Sequence, residues 1–383
     1  MTRTTNMKQY ILLSYLILLL VFTGCNNPVQ APKLNPENFA GEIDGKPVNL
    51  YLLTNKNGME MTVCNYGAKV VSFYVKDKNN NSDDIILGYD SLADYLNPIK
   101  KMTGSVVGRV AGRISGGQFE IDGNAYKLRQ VNERNFHSHG GYKGFDKVVW
   151  DVLEHNKNSI TLQYTSADGE EGYPGTLKTI MKYELTDENI FRITYDATTD
   201  KPTLVNLTHH SFFNLAGAGN GNVENHILEI NSAAYLPILP TTINTGEINT
   251  VAGTPFDFRT YKRVGDGINS SFPQIQYAKG YDHTWVIDKK GGEELSFAAG
   301  IYDPNSGRKM DVFTNQPCLH FYTSKSSSPK TGKGGKEYGN RAGFCMETMH
   351  YPDGINQPAF PAYILRAGET YYHICEFRFS IIE

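Results

Sequence analysis

Between residues 48 and 199 the chain is dominated by short runs in which apolar and polar side chains alternate, each closed by glycine, asparagine or aspartate. The clearest are TIMKYEL (179–185) and FRITYDATT (191–199); VNLYLLTN, MEMTVCNYG, KVVSFYVKD, QFEIDGNAYKL and SITLQYTS repeat the pattern. A period of two sends successive side chains to opposite faces of a strand, which argues antiparallel β-structure. Asp122-Gly123 and Asn57-Gly58 are pairs that tight strand-to-strand turns favour. Helical periodicity is short-lived, its best candidates being SLADYL (91–96) and a turn near 261–267. The expected fold class is therefore all-β, a large antiparallel sandwich with little helix.

No repeat of 20–50 residues is visible, which disfavours a propeller or solenoid, and no Pro/Ser-rich linker divides the body. The glycine-rich, polar stretch SKSSSPKTGKGGKEYG (324–339) reads as an exposed loop. With 383 residues, 40% of them hydrophobic, the chain can bury a sizeable core. A net charge of −3, with no basic run interleaved with aromatics, leaves no electrostatic footprint for nucleic acid. A small neutral ligand fits better, and 24 tyrosines and 19 phenylalanines supply flat faces for one, although most belong to strands and core.

The N-terminus reads as a targeting segment. Arg3 and Lys8 precede the apolar stretch 11–22, followed by Thr23-Gly24-Cys25. A dozen apolar residues fall short of the roughly 20 that span a bilayer, and small residues before a cysteine resemble a bacterial lipoprotein cleavage site. The expected organisation is a signal peptide over 1–24, a tether over 25–40 carrying lipid on Cys25, and one domain over 41–383. The chain would then be exported to the cell envelope and held at the membrane, facing the periplasm. Cys64, Cys318, Cys345 and Cys375 are sparse for an exported chain of this length and lack metal-ligand spacing, so buried free thiols are expected. No zinc or calcium motif is present.

Two segments carry titratable residues in quiet surroundings. NLTHHSFFNL (206–215) holds a histidine pair among apolar and hydroxyl residues, and GFCMETMHYPD (343–353) holds Glu347 without a neighbouring cation. A histidine titrates near neutrality, and a desolvated glutamate can be tuned toward that range. Together with GRVAGRI (108–114), HGGYKGFDKVVW (139–150), GTPFDFR (253–259), GYDHTWVID (280–288) and ETMHYPDGINQPAF (347–360), these motifs occur in one order. From about Gly41 onward the chain closely resembles the aldose 1-epimerase (galactose mutarotase) family.

The resemblance implies a β-supersandwich with a sugar site in a concave face, and interconversion of the anomers of free hexoses such as glucose and galactose. That reaction opens the ring: a proton leaves the anomeric hydroxyl while another reaches the ring oxygen. One base and one acid suffice, with no cofactor, metal or covalent intermediate. The matching positions are Glu347 as base, with a modestly raised pKa, and His210 as acid. If 208–210 is a strand, His209 and His210 point to opposite faces, so one of them faces the sugar. The same resemblance makes Arg113, His139, Asp282 and His320 sugar binders. His137 could share a strand face with His139, whereas Arg109 and His283 read as structural.

Two rivals remain on the sequence. A non-catalytic carbohydrate-binding lipoprotein on the same scaffold would tolerate loss of Glu347 or His210, yet both are present. Glycoside hydrolysis usually needs two carboxylates flanking the bond, and at the positions matching the family's site the motifs offer only Glu347 and Asp282.

Overall fold

The computed structural model describes residues 34–97, 103–129, 135–289, 291 and 294–383. Cys25 and the segment expected to be a signal peptide lie outside them. The alternating runs form antiparallel sheets. The largest has nine strands, in spatial order Asp151–His155, Ser159–Ser166, Leu177–Leu185, Ile190–Thr199, Tyr371–Ile381, Arg308–Thr314, Ser296–Tyr302, Ile227–Ile230 and Lys262–Arg263. Leu177, Thr179, Met181, Tyr183 and Leu185 are buried while the residues between them are not, as a period of two demands.

A four-stranded sheet gathers Leu50–Thr54, Glu60–Cys64, Lys69–Lys76 and Ser82–Asp84. A five-stranded sheet runs Asn249–Thr250, Ala234–Leu236, Asp282–Val286, Cys318–Thr323 and Phe344–Met349. One continuous core joins them, with Phe73, Trp150, Phe191, Trp285 and Phe321 among its members. Each buried indole N–H has an acceptor, Trp150 in the Phe145 carbonyl and Trp285 in the Phe256 carbonyl, both at 3.1 Å. Burying these rings therefore leaves no donor unpaired.

QFEIDGNAYKL folds as a hairpin, Gln118–Ile121 against Asn124–Lys127. Asp122 (φ 51°) and Gly123 (φ 78°) make its two-residue turn, the left-handed pair that matches strand twist. The helix at SLADYL spans Leu92–Leu96, capped by the Ser91 hydroxyl accepting from the Asp94 N–H. Near 261–267 the chain forms the short strand Lys262–Arg263 and one helical turn, Gly265–Ile268. A third helix, Pro273–Ala278, is too short to leave a periodic signal in the sequence.

Two local expectations need refinement, and the expectation of buried free thiols is met. The 324–339 stretch is not simply exposed loop. It contains the pair Lys330–Thr331 and Glu337–Tyr338, and the buried Lys333 Nζ lies 2.5 Å from Asp84. At the other end, the last residues of the 25–40 segment pack on the domain: Leu34 and the wholly buried Phe39 join a side cluster with Val48, Tyr66 and Tyr95. Cys64, Cys318, Cys345 and Cys375 are all buried, unpaired thiols. No helix among the described residues is long and apolar enough to cross a membrane.

Candidate active site

The five-stranded sheet builds the floor of the site through its register. Thr284 pairs with His320 and His320 with Glu347, so these three side chains form a row across three strands on one face. The adjacent row on that face is Asp282, Tyr322 and Cys345. Glu347 and Asp282 thus share a face, while Met346 and Thr348 point to the other side of their strand. His210 comes from a separate pair of strands, Thr208–His210 against Ser105–Val107. Arg113 opens the strand Arg113–Ser115, opposite Ser138, and His139 follows directly.

These elements enclose a cavity of about 340 Å³, lined by Arg113, His139, His210, Asp282, His320 and Glu347, with Phe212, Tyr322 and Lys325 on its wall. The six residues singled out from the sequence are therefore brought together. His210 Nε2 lies 3.5 Å from Glu347 Oε1, and its Nδ1 lies 3.4 Å from the Cys345 sulfur. Asp282 holds three cationic or potentially cationic partners: Arg113 Nη2 at 3.3 Å, Lys325 Nζ at 2.9 Å and His320 Nε2 at 3.1 Å. His320 is fixed in turn by Thr284 Oγ1 at 2.8 Å, and Arg113 donates to the Thr242 carbonyl at 3.0 Å. Glu347 Oε2 and Arg113 Nε have no hydrogen-bonding partner among the described residues.

Burial decides the charge states. It pushes His210 down to about 4, with the His320 charge adding to the shift, and it pushes Glu347 well above the usual carboxylate range, reinforced by Asp282 and opposed by Arg113. The rise at Glu347 is thus larger than the modest one expected from its apolar neighbours in sequence. At Asp282, burial also acts upward, but Arg113, His320 and Lys325 outweigh it and hold the carboxyl well below its ordinary value. His139 is driven well down, by burial first and then by the charges of His210, Arg113 and His320.

Adjacent histidines have separate fates. His209 faces the core, with Nε2 2.6 Å from Ser211 Oγ and Nδ1 3.1 Å from the Tyr183 hydroxyl, and its ring packs on Phe191. His137 and His139 do not share a face, because the strand ends at Ser138 and His139 turns to φ 49°. His137 instead bonds the Tyr173 hydroxyl and the Arg129 carbonyl. Arg109 is buried and donates to Ser166, Ala167 and Pro174, so it is structural. His283 touches the cavity wall yet packs on Phe256, with its Nδ1 accepting from the Asp282 N–H.

Sequence reasoning passed over Lys325 and Phe212. Lys325 sits in the polar 324–339 stretch and looks like any surface lysine. Phe212 could have been found, since it lies two residues from His210 and packs on it with ring centroids 5.0 Å apart.

Donor atoms of His139, His210 and Glu347 lie within 4.8 Å of one another, a spacing that a cation could also use. The Gly112 N–H, however, points at His139 Nδ1 at 3.4 Å, which places the proton of the neutral ring on Nε2 and makes that atom a donor. The set is better matched to hydroxyl groups than to a metal.

A buried histidine–carboxylate pair beside a charged anchor, in a cavity on an antiparallel sandwich, has the geometry of an enzyme that transfers protons on a small polar ligand. The description "Aldose 1-epimerase" belongs to the family model that matches residues 49–378. Galactose mutarotase from Bos taurus is 40% identical over 84% of this chain and 92% of its own length; aldose 1-epimerase from Escherichia coli is 33% identical over 88% and 96%. Among solved structures, an aldose epimerase homologue from C. elegans superposes with a TM-score of 0.80 at 29% identity, covering 88% of this chain and 100% of that one. Galactose 1-epimerase from Lactobacillus acidophilus gives 0.77 at 29% identity, covering 90% and 97%. The chain belongs to the aldose 1-epimerase family. It is an enzyme that isomerises sugar anomers.

Proposed function

We propose that the substrates are free hexoses such as glucose and galactose, with Glu347 as base and His210 as acid. The observation that carries this is the 3.5 Å approach of His210 Nε2 to Glu347 Oε1 inside the cavity that Asp282 and Arg113 also line. Burial favours the neutral forms of both, so the pair holds one proton between them. Placed on His210, that proton gives the imidazolium and carboxylate that open the ring.

Glu347 then removes the proton from O1; the C1–O1 bond becomes a carbonyl as C1–O5 breaks, and His210 gives its proton to O5. The pair again holds one proton, now on Glu347, in the neutral form that burial prefers. After rotation about C1–C2, His210 takes the proton back from the O5 hydroxyl, O5 attacks the other face of C1, and Glu347 returns its proton to O1. No net proton is gained or lost. Arg113, His139, Asp282 and His320 serve as donors and acceptors for the ring hydroxyls, so that rotation occurs at C1 alone.

Optical rotation of freshly dissolved α-glucose and α-galactose tests the proposal. Acceleration of equilibration by the purified protein is expected for at least one sugar; binding without acceleration would establish the non-catalytic alternative instead.

The N-terminal pattern supports a second part of the proposal: export, lipidation at Cys25 and attachment to the membrane facing the periplasm. Bacterial lipoproteins carry more than one acyl chain, which suffices for stable anchoring. Detergent-phase partitioning of the native chain, lost on Cys25→Ala, is the expected result; equal partitioning of both would exclude the anchor.

A further inference from the structure

A second cavity, of about 220 Å³, abuts the catalytic one, and the two share Phe212, Tyr322 and Lys325 as common wall. Beyond that wall the lining includes Tyr89, Tyr338, Ser326 and Gly339. Phe212 and Tyr322 meet edge to face, with ring centroids 5.9 Å apart, and the Lys325 ammonium stands 5.3 Å from the Tyr322 ring centre. Aromatic faces with hydroxyls and an ammonium between them are the chemistry that holds a sugar ring: C–H surface against rings, hydroxyls against polar groups. None of the proton-transfer steps uses this space.

Its position selects the substituent. On the proposed mechanism, Glu347 acts at O1 and His210 at O5. Phe212 packs on His210, and the His210 and Tyr322 ring centres are 6.3 Å apart. Phe212 and Tyr322 thus stand beside His210, the residue assigned to O5, and the ring atom beyond O5 is C5, which carries the exocyclic C6. We infer that the second cavity is a subsite for the next sugar ring of a reducing disaccharide joined through O6 of the ring being epimerised. This rests on the assignment of Glu347 and His210 above.

Gly339 allows a clean test. It lines the second cavity and not the first, its φ lies outside the left-handed region, and a Cβ there meets no atom within 4 Å. Gly339→Trp therefore fills the subsite from a backbone position that tolerates a side chain, with Gly339→Ala as control. Mutarotation would be followed by polarimetry for glucose, a 1,6-linked reducing disaccharide (melibiose) and a 1,4-linked one (maltose).

The wild type is expected to favour the 1,6-linked sugar over the 1,4-linked one. In Gly339→Trp, kcat/KM for melibiose should fall by about tenfold or more, mainly through KM, while glucose changes by less than about twofold. A wild type that does not favour the 1,6-linked sugar overturns the inference, as does a Gly339→Trp variant that affects glucose and melibiose equally. Failure of the wild type to accelerate glucose at all would instead refute the functional reading on which the inference stands.

Discussion

Glu347 Oε1 stands 3.5 Å from His210 Nε2, although the five-stranded sheet presents one residue and a separate strand pair the other. Both side chains are buried, so each governs the proton that the other can hold. Glu347→Gln and His210→Asn should each lower kcat by about 10²–10⁴, the usual worth of one proton-transfer group. The double variant should be little worse than the poorer single, because the two act as a unit. Polarimetric kcat, with thermal melts confirming folding, decides it; multiplicative losses would show independent roles.

The pair also sets the pH profile. His210 takes a second proton near pH 4, leaving Glu347 protonated and unable to act as base, so activity falls on the acid side. Glu347 loses the last proton only well above the ordinary glutamate range, because burial and Asp282 oppose its charge, and above that point no acid remains. kcat/KM should form a plateau with the acid limb near 4 and the alkaline limb well above the usual carboxylate range. An acid limb near 6.5, the value of a solvated histidine, would show that His210 is not desolvated in the working enzyme.

His209 provides the contrast. Its two ring nitrogens meet Ser211 and Tyr183 in the core, and burial pushes its pKa down to about 3. Removing it as His209→Ala should cost about 2–4 kcal/mol, from lost hydrogen bonds and the space left behind. Once folded, the variant should keep kcat within a few-fold. Chemical denaturation and polarimetry on one sample measure both; a thousandfold loss of kcat in a stable variant would move the acid to His209.

That contrast marks how far the sequence could be read. Alternation along TIMKYEL and FRITYDATT is written into adjacent residues, so strands were legible, and the ordered motifs located five of the six cavity residues, His320 coming from the family resemblance outside them. Lys325 was not legible, because its role comes from where the 324–339 stretch returns over Asp282, a long-range contact without local pattern. His137 was misplaced for a related reason. Its expected partnership with His139 assumed strand geometry through a position where the backbone turns to positive φ. The size of the Glu347 shift likewise depends on burial by the whole fold, which its neighbours in sequence could not disclose.

Asp282 is the remaining point at which structure and activity meet. Its carboxylate is buried, yet it stays ionised because Arg113, His320 and Lys325 converge on its two oxygens at 2.9–3.3 Å. Asp282→Asn preserves shape and removes the charge, leaving the mostly buried Arg113 without its ion-pair partner. Breaking a buried pair this way costs about 3–5 kcal/mol, and the lower end applies because the Lys325 side chain is 31% exposed and can turn to water. Lys325→Met, by comparison, should cost less than about 1 kcal/mol. The two variants also differ in the pH profile. Asp282 raises the Glu347 pKa, so its neutralisation should move the alkaline limb of kcat/KM to lower pH. Denaturant melts and pH–rate curves on Asp282→Asn therefore read two consequences of one charge. An Asp282→Asn enzyme with wild-type stability would refute the anchoring role, and an alkaline limb that stays in place or rises would show that Asp282 does not act on Glu347 through its charge.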